Sequence, residues 1–361
     1  MSAHVSALGS VSFGWLHQQG GFVFDEPFFL DPRVRRERER QIHAFVAARF
    51  PQVPLYNIEA HLVQVAGRQR PVALIGGLQP NLILGAAVGA RFVFYGDKDP
   101  DITPTPLADL RNLDRLRSID WTRTWPVNLF LEQIQAAREH WGGECTIVPP
   151  FFWDTTGRAT IHGLVTTAQK LIGERIFLEI ADETPFIDEL FQWIADSYAS
   201  LIGLFAEAAG MKVTGLHVGD CSLCMVGAQP FVQLVLPHLN TLVKRTGAVR
   251  LHSCGYSDHL LDAFRGVEHL SSLNVGSGTS LSRIRERFGT LPVDLLPPVE
   301  LVTTGTPEEM DAWVRRCVAE NGSGELELQY HLDSGQPPDT SLQIHHTLAA
   351  LGFPAIRVAI Y

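Results

Sequence analysis

The sequence predicts an α/β protein built as a (β/α)8 TIM barrel with an N-terminal extension. Three observations lead there. From about Pro71 onward, short apolar runs alternate with longer amphipathic stretches, the pattern of a parallel sheet with helical crossovers. The alternation recurs about eight times, which favours a closed barrel over an open doubly wound sheet. No GxGxxG follows an early strand, so a dinucleotide-binding fold finds no support. The 361 residues are 45% hydrophobic and 19% charged, ample apolar material for a large core and incompatible with intrinsic disorder. Residues 1–60 read as an extension packed on the barrel, and residues 61–361 as the barrel itself.

The extension begins as an irregular lead-in followed by one helix. Asp31-Pro32 is a helix start, and the stretch 33–50 continues at helical spacing with alternating charge. In that stretch Arg36, Glu37, Arg38, Glu39 and Arg40 are expected to form a solvated face, because Glu and Arg at i,i+3 and i,i+4 pair on a helix surface. Strands are expected at 71–77, 90–96, 145–152, 213–219, 249–255, 269–276, 293–299 and 325–332, each a short apolar run bounded by turn residues. Between them, 186–210, 229–247 and 306–322 read as helices. The last has Thr306 as N-cap, Pro307 in the first turn and Gly322 past its end. Pro237 should kink or break the second.

Charge and cysteine content exclude several classes of function. Lys plus Arg number 29 against 39 for Asp plus Glu, a net charge of −10. That balance disfavours nucleic acid and anionic membrane as partners. Five cysteines are too few and odd in number for a disulfide framework. The N-terminus lacks the pattern of a secretory signal, and no apolar run reaches membrane-spanning length. A cytoplasmic protein acting on a small molecule is the expectation, with its cysteines reduced.

In such a barrel, functional side chains sit at the C-terminal ends of the strands. Those ends carry Gly219-Asp220-Cys221, His252-Ser253-Cys254-Gly255, Asn274 and His331-Leu332-Asp333. His252 and Cys254 are two apart on a strand and so share a face. Imidazole and thiolate are both good Zn2+ ligands. Cys221 and His331 are further candidate ligands, and Cys224 lies three residues beyond Cys221. Asp220 and Asp333 are candidate groups for orienting a ligand imidazole or moving a proton. Cys145 and Cys317 read as packing residues. No GxSxG elbow or Ser-His-Asp spacing supports serine hydrolysis.

At these residues the sequence resembles the uroporphyrinogen decarboxylase superfamily, in particular its cobalamin-dependent methyltransferase branch. The resemblance runs from about Pro71 to Gly352. It passes through Leu171 to Glu174, Asp182 to Pro185, Ala209-Gly210 and Gly219-Asp220, then Leu251 to Gly255, and closes on Gly335 to Thr340. The His252-x-Cys254-Gly255 segment is its most specific part. The resemblance implies a barrel whose Zn2+ is held by His252, Cys254 and a third ligand. Such a site activates a thiol that takes a methyl group from a corrinoid carried by a partner protein. Where the resemblance implies a cysteine shortly before Pro-Pro-Asp-Thr, this chain has Ser334, which leaves Cys221 or His331 as the third ligand, or a metal site that is altered or lost. The superfamily's decarboxylases imply an alternative: metal-independent decarboxylation of a carboxylated, tetrapyrrole-like substrate through Asp220, His252 and His331. The arginine-bearing N-terminal motif of that branch is missing here. The acids between Tyr95 and Asp101 match none of its catalytic groups. A third possibility is a barrel that binds a corrinoid protein without catalysis.

Overall fold

The strands of the computed structural model run in chain order as β1 (His4–Val11), β2 (Leu55–Asn57), β3 (Val72–Leu74), β4 (Arg91–Val93), β5 (Asp101–Thr103), β6 (Thr146–Val148), β7 (Arg158–His162), β8 (Gly215–Gly219), β9 (Ala248–Ser253), β10 (Leu270–Val275), β11 (Val293–Leu295) and β12 (Glu325–Leu332). The structure describes residues 4–51, 53, 55–57, 72–142, 144–153 and 155–353. Eight strands form one sheet in the order β2-β1-β12-β11-β10-β9-β8-β7, and each adjacent pair is parallel. β3 pairs with β6 in a separate parallel pair. The result is a mixed α/β architecture with a large parallel sheet and helices between its strands. The ladder does not close into a ring of pairings among the described residues.

The two faces of the sheet have opposite chemistry. Val5, Ala7, Ala159, Ile161, Leu216, Val218, Val249, Leu251, Leu273, Val293 and Leu328 alternate along the strands and are buried in the apolar core, where helices cover them. The opposite face is polar. Arg250 on β9 reaches Asp294 on β11 at 2.6 Å, His217 on β8 at 2.9 Å and Gln329 on β12 at 3.2 Å. β9 and β12 are three strands apart, or about 14 Å in a flat sheet. One guanidinium spans them only because the sheet curls strongly around its polar face.

The lead-in read as irregular is ordered and integral. All eight residues of β1 register against β12, from His4 opposite Glu325 to Val11 opposite Leu332. Its sequence HVSALGSV mixes small and polar residues, which weakens any strand signal; pairing and burial decide its conformation. The boundary expected near residue 60 lies outside the described residues. β7 was likewise not expected. Of the expected strands, 90–96 supplies only β4, which pairs antiparallel with β5 away from the main sheet. The segments 71–77 and 145–152 supply β3 and β6.

Helix ends follow the sequence closely. Asp31 accepts from the Arg33 amide at 2.8 Å and starts the helix Pro32–Arg49. Thr306 and Glu309 form a reciprocal capping box, and Gly322 ends that helix with φ at +61°. Pro237 lies in the first turn of the helix Leu236–Thr246, directly after a π-helical turn at Phe231–Val235. The charged run in 33–50 is not wholly solvated: Glu39 is buried and pairs with buried Arg35 at 2.9 Å. Arg40 and Glu37 pair in solvent as expected. Cys145 and Cys317 are both buried. No described helix is long and apolar enough to cross a membrane.

Candidate metal centre

β8 and β9 end side by side, with Gly219 in register with His252. Beyond β8 the chain turns at once into a short 3-10 segment, Cys221–Met225. Beyond β9, Cys254 is the next residue. These two exits bring Cys221, His252 and Cys254 together, with their ligand atoms all within 4.8 Å of one another. Cys221 Sγ lies 3.4 Å from His252 Nε2. Zn2+ bonds of about 2.0–2.3 Å in tetrahedral geometry separate ligands by about 3.5 Å, so this cluster needs little rearrangement to close on an ion.

The tautomer of His252 follows from its neighbours. The Asn274 amide donates from Nδ2 to the Asp294 carbonyl at 3.1 Å. Its Oδ1 therefore faces His252 Nδ1, at 2.6 Å, and accepts the ring proton there. The lone pair is left on Nε2, pointing toward the sulfurs, the arrangement that orients metal-binding imidazoles. The two nearest thiols differ in charge. Cys254 is held well below the ordinary thiol range by the hydrogen bond from Cys221 and by His252. Cys221 is pushed up by the same pairing and by burial. Cys254 is the more exposed of the two.

Asp220 takes no place in this group. It is buried, and its carboxylate accepts from the Val165 and Thr166 amides at 3.2 and 2.9 Å and from the Thr166 hydroxyl at 2.8 Å. It caps the helix Leu164–Ile172 from outside that helix. Burial raises its carboxyl above the usual range, against the pull of those donors. The Asp220 amide also donates to the His252 carbonyl at 2.9 Å, so the residue fixes the backbone from which Cys221 projects. Cys224 stays nearby without joining, donating to the Cys221 carbonyl at 3.2 Å.

His331 and Asp333 lie at the β12 end, apart from the trio. His331 Nδ1 bonds the Ser10 hydroxyl of β1. The ring is recessed: enough protein surrounds it that burial lowers its pKa, while part of its surface still meets solvent. Asp333 accepts from the Ser12 hydroxyl at 2.6 Å and from the Ser334 amide at 2.7 Å. Ser334 donates to Gln18.

Two histidines on the polar face were not foreseen. His217 bonds Arg250, and burial together with that cation drives its pKa far down. His162 ends β7, and burial, then Lys170 and His252, lowers its pKa to about 4. Position parity within β8 marked His217, two residues before Gly219. Nothing marked His162 once its strand had been missed.

No family model matches this chain, and neither does any curated protein. Among solved structures, a methyltransferase from Methanosarcina mazei matches over 97% of this chain and 94% of its own, with a TM-score of 0.62 and 15% identity. The chain has the fold of that methyltransferase. This agrees with the parallel α/β architecture expected from the sequence. A Listeria monocytogenes protein assigned as a vitamin-B12-independent methionine synthase covers 98% of this chain and 97% of its own, at 13% identity and a TM-score of 0.43; at that score it carries no argument here.

Proposed function

We propose that the chain is a zinc-dependent methyltransferase of the uroporphyrinogen decarboxylase superfamily. In this reading it moves a methyl group between a corrinoid held by a partner protein and a thiol or other small acceptor. The barrel would take β1 and β2 from the first 60 residues, where the sheet already holds them, and the β3–β6 pair would complete the ring. The observation that carries the proposal is the convergence of one imidazole and two sulfurs, within 4.8 Å, on the exits of two adjacent strands. One nitrogen and two sulfurs suit Zn2+, and three protein ligands leave a fourth position free. A zinc ion held there would supply a Lewis-acid centre that makes a substrate thiol acidic and nucleophilic at neutral pH.

The chain's own residues have separable tasks. Cys254 and Cys221 supply sulfur, and His252 supplies Nε2 because Asn274 holds its other nitrogen. Asp220 keeps Cys221 in register through the helix it caps. His331 and Asp333 stand across the mouth, outside the ligand set. A methyl-corrinoid brought by the partner would supply the methyl group and keep the electron pair of the broken bond, and the acceptor's thiol proton would pass to solvent.

Elemental analysis of protein purified without a chelating tag should find about one Zn2+ per chain. Methylcobalamin mixed with a thiol and the loaded protein should yield the thioether. Metal-free protein that transfers methyl groups as fast as loaded protein would overturn the proposal. The decarboxylase alternative loses Asp220 as a free acid–base group, because its carboxylate is committed to the helix cap.

A further inference from the structure

A third sulfur stands beside the trio. Cys224 follows Cys221 by three residues within the 3-10 segment Cys221–Met225. Such a helix has three residues per turn, so side chains at i and i+3 eclipse. The two thiols therefore leave the segment on the same side, Cys224 one turn beyond Cys221. Cys224 is half-buried. Among the described residues its hydrogen bond is the one from its thiol to the Cys221 carbonyl, at 3.2 Å. A thiol is a weak donor, so that bond holds the sulfur loosely.

Gly255 is the glycine that this sulfur requires. Its φ lies outside the left-handed region, so the backbone itself does not ask for glycine there. A Cβ at 255 would lie 2.5 Å from Cys224 Sγ and 2.8 Å from Cys224 Cβ, both well inside van der Waals contact. Any side chain at 255 would drive Cys224 away. Gly255 directly follows Cys254, so the Cys224 sulfur rests against the β9 exit while it projects from the β8 exit. The same nearness shows in its acidity: burial, then the neighbouring Cys254, pushes the Cys224 thiol up. Its sulfur moves by a single torsion, χ1, between staggered wells.

We propose that Cys224 is the fourth ligand of the metal while no acceptor is bound, closing the Cys221–His252–Cys254 trio into a set of three sulfurs and one nitrogen. This rests on the metal-site reading above. Three thiolates and an imidazole, two of the thiolates spaced Cys-x-x-Cys, form a donor set that suits four-coordinate Zn2+. Ligation costs the Cys224 thiol its proton, which passes to solvent, and its weak bond to the Cys221 carbonyl. An acceptor thiol then replaces a sulfur ligand instead of a water, and its proton goes to Cys224 as that sulfur leaves. The metal is thereby screened from water between turnovers.

The test strips the full chain of metal and reloads it with Co2+. The readouts are sulfur-to-cobalt absorption, competition with a chromophoric chelator, and iodoacetamide labelling mapped on peptides. Cys224→Ser keeps the size of the side chain and its bond to the Cys221 carbonyl, so its circular dichroism should match wild type. It should still take about one metal per chain and lose about a third of the absorption, as three sulfurs become two. Its hold on the metal should weaken about tenfold or more. Gly255→Ala should show the same losses with every cysteine in place, because the added Cβ displaces Cys224. Metal should slow the labelling of Cys224 in wild type about tenfold. Added 2-mercaptoethanol should leave the wild-type absorption near its starting level, one sulfur replacing another, and raise that of Cys224→Ser. Loaded Cys224→Ser with wild-type absorption and affinity would overturn this inference and leave the three-ligand site standing. So would a Cys224 labelled equally fast with and without metal. A wild type that takes up no metal would remove the metal reading and this inference with it.

Discussion

The two sides of the polar mouth carry similar residue types and do different things with them. At the β8–β9 side, Cys221, His252 and Cys254 converge, and the ring nitrogen not facing the sulfurs is held by an amide. At the β12–β1 side, the His331 ring bonds a serine hydroxyl, Asp333 bonds Ser12 and Ser334, and Ser334 bonds Gln18. The first side gathers soft donors around a shared point. The second spends its polar groups fastening the N-terminal segment to the last strand. A histidine at a strand end is therefore a ligand or a fastener according to the atom beside it: sulfur in one case, hydroxyl in the other.

Removing one group from each side tests that difference most strongly. Cys254→Ala and His252→Ala should drop bound zinc from about one per chain to near none. His331→Ala should leave it unchanged, by elemental analysis after exhaustive dialysis. If His331→Ala strips the metal while Cys221→Ala keeps it, the assignment of the two sides is reversed. Next in size is Asp220→Ala, which leaves two helix amides without an acceptor. A lost cap and orphaned buried donors together cost about 2–3 kcal/mol, to be read from denaturant midpoints. A fall in activity at unchanged stability would make Asp220 a chemical group after all. Asn274→Ala frees the second nitrogen of His252 and should weaken zinc about 10–100-fold, measured by competition with a chromophoric chelator.

The sequence showed the β8–β9 side better than the β12–β1 side, for physical reasons. His252 and Cys254 declare themselves by strand parity, and Cys221 by ending the preceding strand. Parity is a local property, so it survives errors elsewhere. Whether His331 belongs with them depends on what lies opposite β12, and that is β1, a strand of small and polar residues whose conformation is set by pairing. Without β1 there was no Ser10 to claim the His331 ring and no Ser12 for Asp333. The partners of Asp220 were out of reach in the same way: they lie more than 50 residues earlier, at the start of a helix. Helix ends at Asp31, Thr306 and Gly322 were legible because capping is written within four residues. The apolar face of the sheet was legible too. The polar face was legible only at the strand ends, where His252 and Cys254 share a parity; Arg250, His217 and His162 meet through partners on other strands.

Acid should act mainly through the recessed histidines. In the unfolded chain His162 takes up a proton near pH 6.5, while in the folded protein it stays neutral until about pH 4. Between those values the unfolded state binds more protons, so stability falls as pH falls. For His162 alone the loss from pH 6.5 to 5 is about 2 kcal/mol, and His217 and His331 shift in the same direction. Denaturation midpoints of metal-free protein should decline across that range, and His162→Gln should flatten part of the decline. A midpoint constant from pH 7 to 5 would show that these rings are solvated.

The smallest effect should come from Asp333→Asn. Asp333 is exposed, and its main bond is to Ser12, whose hydroxyl also accepts from the Trp15 amide and so starts the first helix. An asparagine oxygen can still accept from Ser12, so the loss is confined to the charge assistance of an exposed bond, less than about 1 kcal/mol. Zinc content and methyl transfer should stay at wild-type levels. A large fall in transfer rate with zinc retained would put a proton-moving group on the β12–β1 side and turn the fastener into part of the chemistry. A change within error of zero would leave that side as the clasp that holds the N-terminal strand in the sheet, with the reaction confined to β8, β9 and the open position between them.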